Sequence, residues 1–213
     1  MENYAVYALG FFAQSLFGSR LIVQWIQSER KGKVVSPTVF WILSLLASFL
    51  FLIYGVLRHD PVILIGQTFS YYIYIRNLQL KGFWKQIPQV LRIIIFPMPL
   101  LILSYIGFFA PETFKAIIDK SDFSETIMII GTIGQLMLNL RYLYQWYYSE
   151  KAKESLLPLG FWVISLVASV MVVSYALIKQ DPVLLVSQGL GMMAYSRNIY
   201  LSVRLPKAKQ MNQ

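Results

Sequence analysis

The sequence predicts an all-α integral membrane protein of seven transmembrane helices, arranged as two parallel three-helix bundles joined by a linking helix. Three observations lead there: apolar runs of membrane-spanning length, a gapless internal duplication, and a bias of lysine and arginine toward alternate loops.

Hydrophobic residues make up 57% of the 213 positions and charged residues only 14%, whereas a soluble domain carries about a quarter charged residues. Apolar stretches run through 42–56, 61–75, 93–110, 127–140, 161–178 and 182–194. A helix needs about 20 residues to cross the hydrocarbon layer, and with their flanks these runs give spans at 4–26, 38–57, 61–80, 93–110, 127–148, 159–178 and 182–203. The opening MENYAVYALG lacks a basic segment and a small-residue cleavage site, so it is expected to be a span rather than a removed signal.

The duplication sets the architecture. Residues 10–80 align with 131–201 at a constant offset of 121, with roughly a third of the pairs identical. Gly10/Gly131, Gln14/Gln135, Arg20/Arg141, Gln24/Gln145, Trp25/Trp146, Ser28/Ser149 and Glu29/Glu150 open the match. Asp60/Asp181, Pro61/Pro182, Gln67/Gln188, Tyr74/Tyr195, Arg76/Arg197 and Asn77/Asn198 close it. The expected organisation is a first repeat at 1–80, a linking helix and outer loop at 81–126, a second repeat at 127–203 and a tail at 204–213. Three helices per repeat is odd, so a direct fusion would invert the second copy; the linking helix restores its direction. Lysine and arginine concentrate at 30–33, 81–92, 151–153 and 204–209, and the alternate loops are leaner. The positive-inside rule then puts the N-terminus outside and the C-terminus in the cytoplasm.

Ser36-Pro37, Asp60-Pro61 and Asp181-Pro182 pair a capping side chain with a proline suited to the first helical position. Trp25, Trp41, Trp146 and Trp162 at helix ends suggest interfacial belts. Ser44, Ala47 and Ser48 form a small-residue face for helix packing. Pro97 and Pro99 should bend the linking helix.

Chemistry must come from polar groups within the spans. Arg20 and Arg141 lie about six residues inside their helix ends, roughly 10 Å deep. Gln24 and Gln145, four residues on, share their faces. Gln67 with Tyr74, and Gln188 with Tyr195, make stripes on the third helices; Asn77 and Asn198 lie near them, while Arg76 and Arg197 point elsewhere. Guanidinium groups bind phosphate through bidentate hydrogen bonds, so Arg20, Arg141, Arg76 and Arg197 are the candidate anion-binding set. Two alternatives compete: arginines near helix ends snorkel to the headgroups, and Glu29 or Glu150 can pair with them. The chain has no cysteine and a single histidine, His59, so no metal site or cofactor is expected. The net charge of +9 lies in loops between spans and reads as membrane topology rather than nucleic-acid binding. No phosphate loop, nucleophile elbow or paired-acid cluster appears.

The pattern Arg20-x-x-x-Gln24-Trp25-x-x-Ser28-Glu29, then Pro37, Phe40-Trp41, Asp60-Pro61-Val62, Gln67 and Tyr74-x-Arg76-Asn77 resembles the lipid A biosynthesis N-terminal domain. That family is a membrane module attached to some lipid-A-disaccharide synthases, similar in layout to the PQ-loop and SWEET transporters. The resemblance covers nearly the whole chain, twice over. It implies a SWEET-like 3+1+3 fold in the bacterial inner (cytoplasmic) membrane and a part in lipid A or envelope glycolipid biosynthesis. The synthase's glycosyltransferase part is not found in these residues, so no enzyme activity is expected. The leading expectation is a translocase, or flippase, for a lipid-linked anionic sugar such as a polyprenyl-phosphate sugar. The arginines would hold the phosphate, and Gln14, Gln67, Asn77, Gln24, Tyr74 with their copies Gln135, Gln188, Asn198, Gln145, Tyr195 would line the polar headgroup. The alternatives are a facilitator of a small soluble sugar and a non-catalytic scaffold that docks a glycosyltransferase.

Overall fold

The computed structural model describes residues 4–58, 61–109, 126–179 and 182–210. Among them are eight α-helices and one short 3-10 turn at Phe83–Gln86, and no strand. The helices are α1 (Tyr4–Lys31), α2 (Thr38–Arg58), α3 (Pro61–Leu80), α4 (Gln89–Ile95), α5 (Met98–Phe109), α6 (Thr126–Ala152), α7 (Leu159–Lys179) and α8 (Pro182–Gln210). By length and composition α1, α2 and α7 are able to cross a membrane, and α4 with α5 makes a fourth if the bent pair counts as one span. Glutamine, asparagine and arginine within α3, α6 and α8 lower the hydropathy of those helices. Exposed Phe11, Phe12, Ile65, Phe69, Phe108 and Leu177 leave far more apolar surface than water tolerates.

Helix ends follow local chemistry. Pro61 and Pro182 open α3 and α8, where a missing N–H costs little; the expected caps Asp60 and Asp181 lie outside the described residues. Pro37 falls one position earlier than expected: α2 starts at Thr38, and the Pro37 carbonyl accepts from Phe40 N–H at 3.1 Å. After α1 the chain turns through Gly32 at φ +60°, and after α3 through Gly82 at φ +72°, the left-handed conformation glycine adopts without steric cost. In the second repeat Lys153 stands where Gly32 stands in the first, and it takes φ 54°.

The expected bend in the linking segment is present: α4 and α5 meet at 41°. Pro97 and Pro99 cannot donate to the carbonyls four residues back, Ile93 and Ile95. The freed Ile95 carbonyl accepts instead from the buried Tyr71 hydroxyl of α3, at 2.8 Å.

The chain forms two compact units, one of Met1–Phe17 with Trp41–Asp122 and the other of Gly18–Phe40 with Phe123–Gln213. The C-terminal half of α1 and the loop after it thus group with the second sequence repeat. In the first unit Ser44, Ala47 and Ser48 are fully buried, as a packing face should be, and Ser48 donates to the Gln67 backbone carbonyl at 3.2 Å. In the second, Leu138, Ala168 and Val172 form a core cluster with Met137 against it. Trp41 and Trp162 are not interfacial: both are fully buried, 6.0 and 6.1 Å from the rings of Tyr74 and Tyr195 within their own units. Trp25 and Trp146 do stand nearer the surface, donating to Glu29 at 3.0 Å and Glu150 at 3.2 Å.

Candidate functional site

The second unit gathers most of the expected polar residues. Arg20 and Arg141 are each 5% exposed, so neither snorkels to the surface. The Arg141 guanidinium carbon lies 5.1 Å from the Tyr142 ring, 5.1 Å from Phe161 and 5.4 Å from Tyr195, and its Nη1 donates to Ser165 Oγ at 2.8 Å. Arg20 lies 5.2 Å from Phe40 and 5.5 Å from Tyr142. The two cations therefore share one ring, Tyr142. Aromatic faces attract a desolvated cation by about 2 kcal/mol, which helps to keep two like charges buried close together. One arginine comes from each sequence repeat.

Gln24 and Gln145 have a different setting. Gln24 is fully buried; its Nε2 donates to Ser28 Oγ at 2.9 Å and Asn198 Oδ1 at 2.8 Å, with the Val35 carbonyl 3.3 Å away. Asn198 Nδ2 returns a bond to Gln24 Oε1 at 3.1 Å and reaches the Ala194 carbonyl at 2.8 Å. The Ser28 oxygen accepts from Val35 N–H at 3.2 Å. The second repeat copies this clamp: Gln145 Nε2 donates to Ser149 Oγ and to the Leu156 carbonyl, each at 2.7 Å, and Ser149 accepts from Leu156 N–H at 3.0 Å. In both repeats a glutamine and a serine one turn apart fix the loop that follows their helix. The serines' part was missed in the sequence, although their four-residue spacing from the glutamines was visible there.

Arg197 meets the carboxylate foreseen as a competitor. Its Nε donates to Glu29 Oε1 and its Nη2 to Oε2 at 2.9 Å, while Tyr200 lies 5.0 Å from the guanidinium carbon. Glu29 lies three residues beyond the first expected span. Arg197, with the Trp25 N–H second, holds its carboxyl down from 4.5 to about 2.

Gln188 accepts from Ser169 at 2.9 Å and Tyr195 is buried beside Arg141. In the first unit Asn77 is fully buried and donates to the Ile73 carbonyl at 2.9 Å, and Arg76 donates to Gln79 at 3.1 Å. Tyr74 packs on Trp41, Gln14 is exposed, and the Gln67 side-chain oxygen is buried with no hydrogen-bond partner among the described residues. The Gln135 side chain lies outside the described residues. Arg20, Arg141, Tyr195, Gln24, Asn198 and Gln145 thus belong to one unit; Gln14, Gln67, Tyr74, Arg76 and Asn77 belong to the other. Among the described residues no cluster of histidine, aspartate and glutamate is able to hold a metal ion.

Comparison with known proteins gives a consistent setting. The family model described as Lipid A Biosynthesis N-terminal domain matches residues 9–79 and again 130–200. Proteins named Lipid-A-disaccharide synthase are similar to the chain: 26% identical over 204 residues in Chlamydia pneumoniae, 28% over 210 in Chlamydia muridarum and 26% over 218 in Chlamydia caviae. The alignments cover 93%, 93% and 96% of this chain but 33%, 34% and 34% of those proteins. The chain thus spans about a third of the length of the curated relatives it matches. No solved structure matches it. With both repeats matched over more than half its length, the chain belongs to the Lipid A Biosynthesis N-terminal domain family.

Proposed function

We propose that the protein is a translocase for a lipid-linked anionic sugar, such as a polyprenyl-phosphate sugar, in the bacterial inner membrane. In this reading the chain crosses the membrane seven times as two parallel repeats around a linking helix, with its N-terminus outside and its C-terminus in the cytoplasm. The observation that carries it is the pair of buried arginines, Arg20 and Arg141, both against the ring of Tyr142. Burying one cation in a membrane helix is costly. Burying two around one ring is a feature expected where an anion is to be shared between them, and guanidinium forks suit the oxygens of a phosphate.

Arg20 and Arg141 hold the phosphate, and Tyr195 and Gln188 stand with them for the headgroup. Gln24, Gln145 and Asn198 act by fixing the loops and helix ends around it. Arg197 with Glu29 forms a tie within the same unit, and Gln14, Gln67, Tyr74, Arg76 and Asn77 belong to the other unit. The test is reconstitution in liposomes with a fluorescent polyprenyl-phosphate sugar. Arg20→Ala plus Arg141→Ala should abolish its movement while leaving the protein folded by thermal unfolding; unchanged transport overturns the mechanism.

A second reading rests on a separate observation: the similar synthases are about three times as long as the region matched here. A membrane module that seats a glycosyltransferase needs no transport. It predicts co-purification of such an enzyme with the chain and no movement of the labelled lipid.

A further inference from the structure

We infer that the cleft beside the bend between α4 and α5 binds an anionic phospholipid of the surrounding membrane, held by its phosphate at Arg92. The cleft lies wholly within the first unit, uses neither Arg20 nor Arg141, and stands or falls independently of transport. It has a volume of about 670 Å³ and is lined by Trp84, Gln89, Arg92, Ile93, Phe96 and Pro97.

Its lining has a polar part and an apolar part. In the first, the Arg92 Nε is buried, and no side-chain hydrogen bond or ion pair reaches Arg92 among the described residues. Tyr72, outside the lining, packs its ring 5.4 Å from that of Phe96, and its hydroxyl is buried with no partner among the described residues. Buried polar groups of this kind are rare unless something outside the chain satisfies them. In the second, Ile93 and Phe96 are exposed, as are Val90, Leu91 and Ile94 of α4.

Charge selects the occupant. Residues 61–111 contain Arg76, Lys81, Lys85 and Arg92 and no aspartate or glutamate. An anion is drawn to such a segment, and a guanidinium presents the donor fork that phosphate oxygens accept. A free phosphate ion has no use for the apolar part. A phospholipid fills both, with its phosphate at Arg92 and Gln89 and an acyl chain along Ile93, Phe96 and Pro97. The proline bend, where the Tyr71 hydroxyl donates to the Ile95 carbonyl, lies at the cleft, since Pro97 is part of its lining.

The test is native mass spectrometry of the full chain in neutral detergent, titrated with phosphatidylglycerol or with phosphatidylcholine of the same acyl chains. Wild type should retain one phosphatidylglycerol in preference to phosphatidylcholine. Arg92→Gln should weaken that binding about tenfold, the scale of one lost charge-assisted contact, and Arg92→Lys should recover part of it. Lys85→Gln removes the same charge from an exposed side chain that does not line the cleft, and should bind as wild type does. Ile93→Glu sets a carboxylate on an exposed site in the apolar part, which spares the fold and should also expel the lipid. Equal losses in the Arg92 and Lys85 variants, no preference between the two lipids, or an Ile93→Glu protein that binds normally would each overturn the assignment. So would a dimer that Arg92→Gln dissociates without any lipid adduct, which would give the cleft to a second copy of the chain.

Discussion

The reciprocal amide pair between Gln24 and Asn198 makes a quantitative prediction. Asn198→Ala removes a donor 3.1 Å from Gln24 Oε1 and an acceptor 2.8 Å from its Nε2, at a glutamine with no solvent exposure. The Ala194 carbonyl also loses a donor, but a helical carbonyl keeps its backbone bond. Gln24 Nε2 keeps Ser28 and the Val35 carbonyl, but its buried Oε1 is left without a partner, which costs about 1–3 kcal/mol, so the single variant should lose about that much. Gln24→Met, of similar shape, should lose a comparable amount because Val35 and Ser28 are also released. Because the two side chains share both bonds, the double variant costs less than the sum. Coupling energies between polar groups on membrane helices average about 0.6 kcal/mol and reach about 1.7. Full burial and reciprocity place this pair at the upper end, at about 1–1.5 kcal/mol. Reversible unfolding of the four proteins in mixed micelles supplies the cycle. Losses that add to within about 0.3 kcal/mol would show that the two side chains do not interact.

Three further outcomes are expected. Lys153→Gly should stabilise the protein by about 0.5–1 kcal/mol, because it removes a side chain from φ 54° at the position glycine holds in the first repeat; chemical unfolding against wild type checks it. Tyr71→Phe should cost about 1–2 kcal/mol by leaving the Ile95 carbonyl without a donor, and the cost should shrink in a Pro99→Ala background, where a helical N–H is restored. The Glu29–Arg197 contact depresses the carboxyl from 4.5 to about 2, so its contribution is complete above pH 4.5 and disappears as pH falls toward 2. Thermal unfolding of Glu29→Gln and wild type should therefore differ by a constant amount from pH 7 to 5 and converge only below it.

Much of the fold was legible in the chain. The offset of 121 appears again in the family matches at 9–79 and 130–200, because identical residues at a fixed interval need no structural context. The linking bend was legible for a similar reason: Pro97 and Pro99 lack N–H groups whatever surrounds them. Arg197 with Glu29 was visible as an alternative to ligand binding, since a carboxylate and an arginine at helix ends are natural partners. The roles of Gln24 and Gln145 were not. Helical spacing gives the face a glutamine occupies, but Gln24 finds Asn198 across a separation of 174 residues, which no local pattern encodes. The tryptophans divide on the same principle. All four lie near helix ends in sequence, yet Trp41 and Trp162 are buried on tyrosines and only Trp25 and Trp146 keep an aqueous-facing partner. That Arg76 and Asn77 group with a different unit from Arg20 and Arg141 was also hidden, because the compact units do not follow the repeat boundaries.

The division of α1 between the two units bears on how the protein is made. Its C-terminal half leaves the ribosome early, yet Gln24 waits for Asn198, 174 residues later. At elongation rates of about 5–20 residues per second that interval is on the order of 10–35 s. For that time a membrane helix carries an amide whose final partner does not yet exist. An insertase or chaperone that shelters α1 until α8 emerges would act in that window, and slowing translation between the repeats should lengthen the nascent chain's exposure to membrane proteases.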